Sequence, residues 1–231
     1  MPPIEPAPPP PPTVQAGLPW EAPNAGLGSI FPTAVQFITN PFQAYARMSL
    51  TTDLVRPIAY FVAFVIASVP LGQLWRYLFW TRETSGLDLI PTDLLQQAPW
   101  LEVLLGRPTV TVVLVLMVIA PLLNLITLFI WSGLVHLVLA MLGAAPNGFA
   151  TTLRAVCYSQ TAIVALLVPV AGGLIQLIWS LVLQIIGLSQ AHRVSGGKAA
   201  AAVLIPIAVC CGCVVALAVI SGIAVGGLMK Q

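Results

Sequence analysis

The stretch PTVTVVLVLMVIAPLLNLITLFIWSGLVHLVLAML, Pro108 to Leu142, decides the fold. It holds no Asp, Glu, Lys or Arg, and its 35 residues exceed the roughly 20 that a helix needs to cross a bilayer. Pro121 divides it. The run reads as one long tilted or kinked helix carrying Asn124, Thr127 and His136. Two half-helices returning to the same side are the alternative, disfavoured because no loop residues surround Pro121.

The same character extends downstream. From Val103 to Gln231 there is no Asp or Glu at all. Further apolar runs cover 151–168, 170–188 and 198–228, and upstream a first one covers 57–79, with Pro70 as a kink. Pro169-Val-Ala-Gly-Gly makes a tight hairpin between the third and fourth runs. Trp75, Arg76, Tyr77 and Trp80 mark a headgroup-level boundary. The fold class expected is an all-α, integral membrane five-helix bundle.

Composition agrees. The chain is 58% hydrophobic and 7% charged, against roughly 25% charged in soluble domains. Its nine basic residues are scattered, so no nucleic-acid partner is expected. Without carboxylates in the spans, acid/base pairs, hard-cation sites and carboxylate proton relays have no raw material there. An enzyme would have to use Asp88, Asp93 and Glu102 with Arg82 or Arg107, whose spacing matches no catalytic constellation. No cofactor or metal is expected. Cys210, Cys211 and Cys213 sit inside an apolar run without a nearby histidine, and Cys157 stands alone, so neither zinc nor a disulfide framework is indicated.

Residues 1–28 are dominated by Pro, Ala and Gly and read as a disordered, extended tail, or as a Pro-rich ligand for a partner's aromatic groove. The N-terminus does not read as a secretory signal, so the first span is expected to act as an uncleaved one. Residues 29–54 read as an interfacial amphipathic segment. Asn40-Pro41 starts a short helix with Phe42, Tyr45, Ala46 and Leu50 near one face, lying on the membrane surface or packed on the bundle. The remainder, 55–231, is the transmembrane domain. With the N-terminus inside, the inner side holds Arg47, Arg56, Arg154, Arg193 and Lys198, and the outer side Arg76, Arg82, Arg107 and Lys230. The balance favours a cytoplasmic N-terminus and an outward C-terminus.

Several residues stand out as candidate sites. Gln176, Ser180 and Gln184 share one face of the fourth span, and Thr151, Arg154, Tyr158 and Thr161 form a stripe on the third. Facing each other, the stripes would be interhelical glue. Together with Gln160 and Asn124, the Gln and Ser side chains could instead line a transport path for a small neutral solute. Arg154 has no acidic partner within the membrane half and reads as snorkelling to the headgroups or binding lipid phosphate. His136, one turn after Ser132, is a proton-sensitive switch or a neutral residue bonded to a neighbouring helix. His192-Arg193 reads as a solvated turn. Gly222 and Gly226 form a GxxxG, a homo-oligomer face or a packing site within the chain.

The stretch from Trp131 to Pro206 carries Gly133-Leu-Val-His136, Leu142-Gly143, Phe149-Ala-Thr-Thr and Ala155-Val-Cys-Tyr158-Ser159. These are followed by Pro169, Gly172, Trp179, Ile186-Gly187-Leu188, Ala191-His192 and Lys198-Ala199. In this order and spacing they resemble the Yip domain family, multi-span proteins named for eukaryotic members that bind Ypt/Rab GTPases. The likeness covers about residues 40–228 and is greatest to the prokaryotic branch. It implies five transmembrane helices, a cytoplasmic N-terminus, a short outward C-terminus and no catalytic residue. Eukaryotic members are associated with vesicle trafficking and membrane shaping. The Asp-Leu-Tyr-Gly motif of some eukaryotic members is absent here, so Rab binding is not carried over. The expected function is a non-enzymatic scaffold or adaptor in a prokaryotic inner membrane, with the lipid bilayer and an unidentified protein as partners.

Overall fold

The computed structural model describes residues 17–79, 90–101 and 109–228, with side chains up to residue 216 except that of Arg76. Glu83, Asp88, Glu102, Arg82 and Arg107 lie outside the described residues, as do residues 1–16. Two 3-10 turns, Pro19–Glu21 and Leu27–Ser29, lead into α1 (Ile30–Thr39) and α2 (Pro41–Ala46). Then follow α3 (Val55–Phe79), the short α4 (Thr92–Gln97), which carries Asp93, and α5 (Val110–Met141). The helix α6 (Gly148–Ser159) continues as a 3-10 segment, Gln160–Leu167, and is followed by α7 (Gly172–His192) and α8 (Gly196–Leu228). Five of these stretches are long and apolar enough to cross a membrane.

Pro121 does not split the long run: α5 is one helix, so the half-helix alternative is set aside. Asn124 and Thr127, beyond Pro121, bond to their own helix backbone. Asn124 Nδ2 donates to the Ala120 carbonyl at 2.8 Å and Thr127 Oγ1 to Leu123 at 2.9 Å. A polar group that faces hydrocarbon must find a partner on its own helix or a neighbour, and the carbonyl one turn back is the nearest.

Burial separates a central helix from peripheral ones. In the α6 span 67% of the apolar window is buried inside the protein, against 6% for α5. Thus α6 forms the hub, and α5 turns Leu114, Val118, Leu122, Ile126 and Ile130 outward. Gly187 lets α2 approach α7, because a Cβ there would sit 2.6 Å from the Tyr45 ring. Gly172 likewise admits the Ala165 backbone at the opposite end of the bundle.

The turns that reverse the chain are tight. Ala144 N donates to Leu139 O at 2.8 Å around Gly143, whose φ is 60°. Val194 N donates to Ser189 O at 3.1 Å around Arg193, whose φ is 54°. Both are the six-to-one helix ending that places one left-handed residue after the last turn. The third reversal puts Val170 at φ 65° between Pro169 O and Ala171 N.

The N-terminal region departs from expectation. Residues 18–21, expected within a core-less tail, are packed on the bundle: Leu18 is 1% and Trp20 5% exposed. Proline obstructs helices but not burial, and an apolar side chain beside it finds the core all the same.

Candidate functional site

The polar hub of the molecule lies where this N-terminal strap meets α6. Glu21 Oε1 receives Arg154 Nη1 at 2.6 Å and the Tyr158 hydroxyl at 2.9 Å. Its Oε2 receives the Ser49 amide at 2.7 Å. Arg154 Nη2 reaches the Thr51 carbonyl and hydroxyl, both at 3.0 Å, and the Asp53 carbonyl. The Arg154 side chain is 2% exposed and that of Glu21 7%. The expectation that Arg154 snorkels to the headgroups is therefore corrected. It is a buried ion-pair member, and its acid comes from the strap, 133 residues away in sequence. Its two Nη groups are turned to the strap and the Thr51 and Asp53 carbonyls, while its buried Nε has no partner.

Trp20 fastens the strap beside this pair. Its backbone N–H meets Thr33 Oγ1 at 3.0 Å and its indole N–H the Arg56 carbonyl at 2.6 Å. Arg56 returns a bond from Nη1 to the Ala25 carbonyl at 2.8 Å, with its guanidinium 5.2 Å from the Trp20 ring centroid. Beneath lies an aromatic cluster. Phe37 stacks on Tyr158 at 5.1 Å, Tyr45 meets Phe37 edge-on at 4.7 Å, and Tyr60 meets Tyr158 at 5.0 Å. The Tyr60 hydroxyl pairs with Thr161 Oγ1 at 2.7 Å, and the Tyr45 hydroxyl donates to the Ala155 carbonyl at 3.3 Å. Burial pushes the Tyr45 hydroxyl well above the usual tyrosine range, so it stays a donor. Tyr45 thus faces the bundle, while Phe42 and Leu50, assigned to the same face, point outward.

A second buried chain links three helices. His136 Nδ1 of α5 lies 2.8 Å from Thr152 Oγ1 of α6, which lies 2.9 Å from His192 Nε2 of α7. A hydroxyl has one proton, so with neutral rings Thr152 donates to one histidine and accepts from the other. His192, read from sequence as part of a solvated turn, is 1% exposed, and its Nδ1 has no partner. Ser132 Oγ is likewise buried without one.

The two polar stripes do not meet. Arg154 and Tyr158 turn to the strap, while Gln184 Oε1 accepts from the Trp131 indole of α5 at 2.7 Å. Ser180 donates to the Leu177 carbonyl of its own helix at 2.8 Å. Gln176 and Gln160 are half-buried. With Asn124 bonded within α5, these groups spread over several surfaces. Gly222 and Gly226 lie on α8, in the part described without side chains. Among the described residues no group of three or more His, Cys, Asp or Glu could hold a metal ion, and the four cysteines are free. The hub can clamp one segment on another.

A family model, the Yip1 domain, matches residues 35–218. No curated protein and no solved structure matches the chain.

Proposed function

Since the chain belongs to the Yip1 domain family, a family of multi-pass membrane proteins, we propose that it acts as a non-enzymatic membrane scaffold or adaptor. Residues 1–16 serve as the arm that recruits a protein partner. The N-terminus is cytoplasmic, the C-terminus outside, and the bilayer a prokaryotic inner membrane. The observation that carries this reading is a set of buried polar groups spent on one another: Glu21 on Arg154, Gln184 on Trp131, His136 and His192 on Thr152. Side chains committed to internal bonds favour a rigid platform over a solute path.

The interfacial assignment of residues 29–54 rests on one face. Leu27, Phe31, Val35, Ile38 and Phe42 are all exposed and recur at helical spacing, while Thr33, Ala34 and Phe37 pack inward. Phe37 stacks on Tyr158, one turn further along α6 than Arg154, so α1 sits about one turn below the level of that charge. No charged residue occurs between Glu21 and Arg47, which suits insertion among acyl chains.

Because residues 18–21 are packed on the bundle and Arg56 holds the Pro23 and Ala25 carbonyls, the recruiting arm must be tested by deleting residues 1–16 alone. That deletion should leave the melting temperature in lipid nanodiscs unchanged and remove partners from an in-membrane crosslinking experiment. An identical set of crosslinked proteins would refute recruitment by the arm.

A further inference from the structure

We propose that the cleft between the α5–α6 and α7–α8 turns binds the phosphate of an anionic phospholipid, drawn from the leaflet at that end of the bundle. The cleft has a volume of about 430 Å³, with Ala140, Gly143 and Pro146 on one side and His192, Arg193 and Val194 on the other. Its polar equipment is cationic. Arg193 is exposed, and Lys198 Nζ sits 3.1 Å from the Leu142 carbonyl, beside Gly143 at the rim. Among the described residues the ion pair is Glu21–Arg154, and no Asp or Glu follows Glu102 in the chain. Nothing in the spans therefore neutralises these two cations.

The helix start that follows the cleft-lining Val194 carries the same sign. Gly196 and Gly197 open α8, and a Cβ at either would meet nothing within 4 Å. Their amides are the orphan donors of a first helical turn, at the positive end of the peptide dipoles. His192 forms part of the cleft wall. Its Nε2 is occupied by Thr152, and its buried Nδ1 has no partner.

Arg193 also occupies a position that favours glycine. The α5–α6 turn uses the same six-to-one ending and places Gly143 there. A left-handed conformation is unfavourable for a residue with a Cβ, and such an outlier points to a role for its side chain. The site lies at the ends of spans, at headgroup depth, and its remaining lining is apolar. That combination fits a lipid phosphate with glycerol beneath it better than a free anion.

Native mass spectrometry of the full chain with added phosphatidylglycerol or phosphatidylcholine tests this. The wild type should retain phosphatidylglycerol preferentially. Arg193→Gly and Lys198→Gln should each weaken retention about fivefold, the worth of one basic side chain near an anionic surface, and Arg47→Gln should leave it unchanged. Arg193→Gly relieves the left-handed strain, so it should melt no lower than wild type, separating lost binding from lost folding. Should it fold poorly, Lys198→Gln carries the test. Equal retention of the two lipids would overturn the proposal. So would an equal loss in Arg47→Gln, or displacement of the lipid by millimolar inorganic phosphate, which would assign the site to a soluble anion.

Discussion

Replacing Glu21 with Gln removes one charge from the hub and almost none of its shape. The partner Arg154 is 2% exposed and Glu21 7%, so solvent does little to screen the pair. Two unit charges about 4 Å apart at an effective dielectric of about 20 attract by roughly 4 kcal/mol. Breaking one side of a buried pair typically costs about 3–5 kcal/mol, because the other charge is left uncompensated. The two figures agree. At about 1.4 kcal/mol per tenfold, the strap should open on the order of a thousand times more often. Hydrogen exchange in nanodiscs reads this locally, at the Trp20 amide held by Thr33 and the Ser49 amide held by Glu21. Protection over residues 17–29 and 47–53 should collapse while α7 stays protected. Glu21→Leu with Arg154→Met removes both charges and should recover most of the loss. Unchanged protection in Glu21→Gln, or a double variant as open as the single one, would show that the ion pair does not hold the strap.

Gly187→Ala drives a Cβ into the Tyr45 ring at 2.6 Å, so it should lower stability by about 1–3 kcal/mol, seen as a lower melting temperature in detergent. Trp131→Phe strips Gln184 of its donor and should cost about 0.6–1.7 kcal/mol; adding Gln184→Leu should restore part of it, and additive losses would refute the pairing. Val170→Gly relieves a β-branched residue at φ 65° and should raise stability by up to about 1 kcal/mol, measured by thermal unfolding; a fall would refute the strain.

Much of the architecture was legible because its signals are local. An uncharged apolar run of 35 residues is long enough to cross a bilayer, and Asn40-Pro41 does cap α2, with Asn40 Oδ1 accepting the Gln43 amide at 3.3 Å. The hub was hidden for the opposite reason. Glu21 and Arg154 are far apart in sequence, and Glu21 sits among prolines whose composition suggests a tail. The signal available was Trp20-Glu21 itself: an indole and a carboxylate are out of place in a solvated Pro/Ala segment. The His136–Thr152–His192 chain needed three helices in register, which no single-helix periodicity reveals. Polar stripes misled because a hydroxyl such as Ser180 satisfies itself on its own backbone as readily as across an interface.

The bundle is dry around α6, and Cys157 is placed to test this. It is fully buried, on α6 beside Phe61 and Val65. In a Cys210→Ser, Cys211→Ser, Cys213→Ser background it is the single thiol left. With a charged, membrane-impermeant thiol reagent applied to both faces of intact membranes, Cys157 should stay unlabelled until the protein is denatured. Labelling at the rate of a free thiol would place water against α6 and contradict the account.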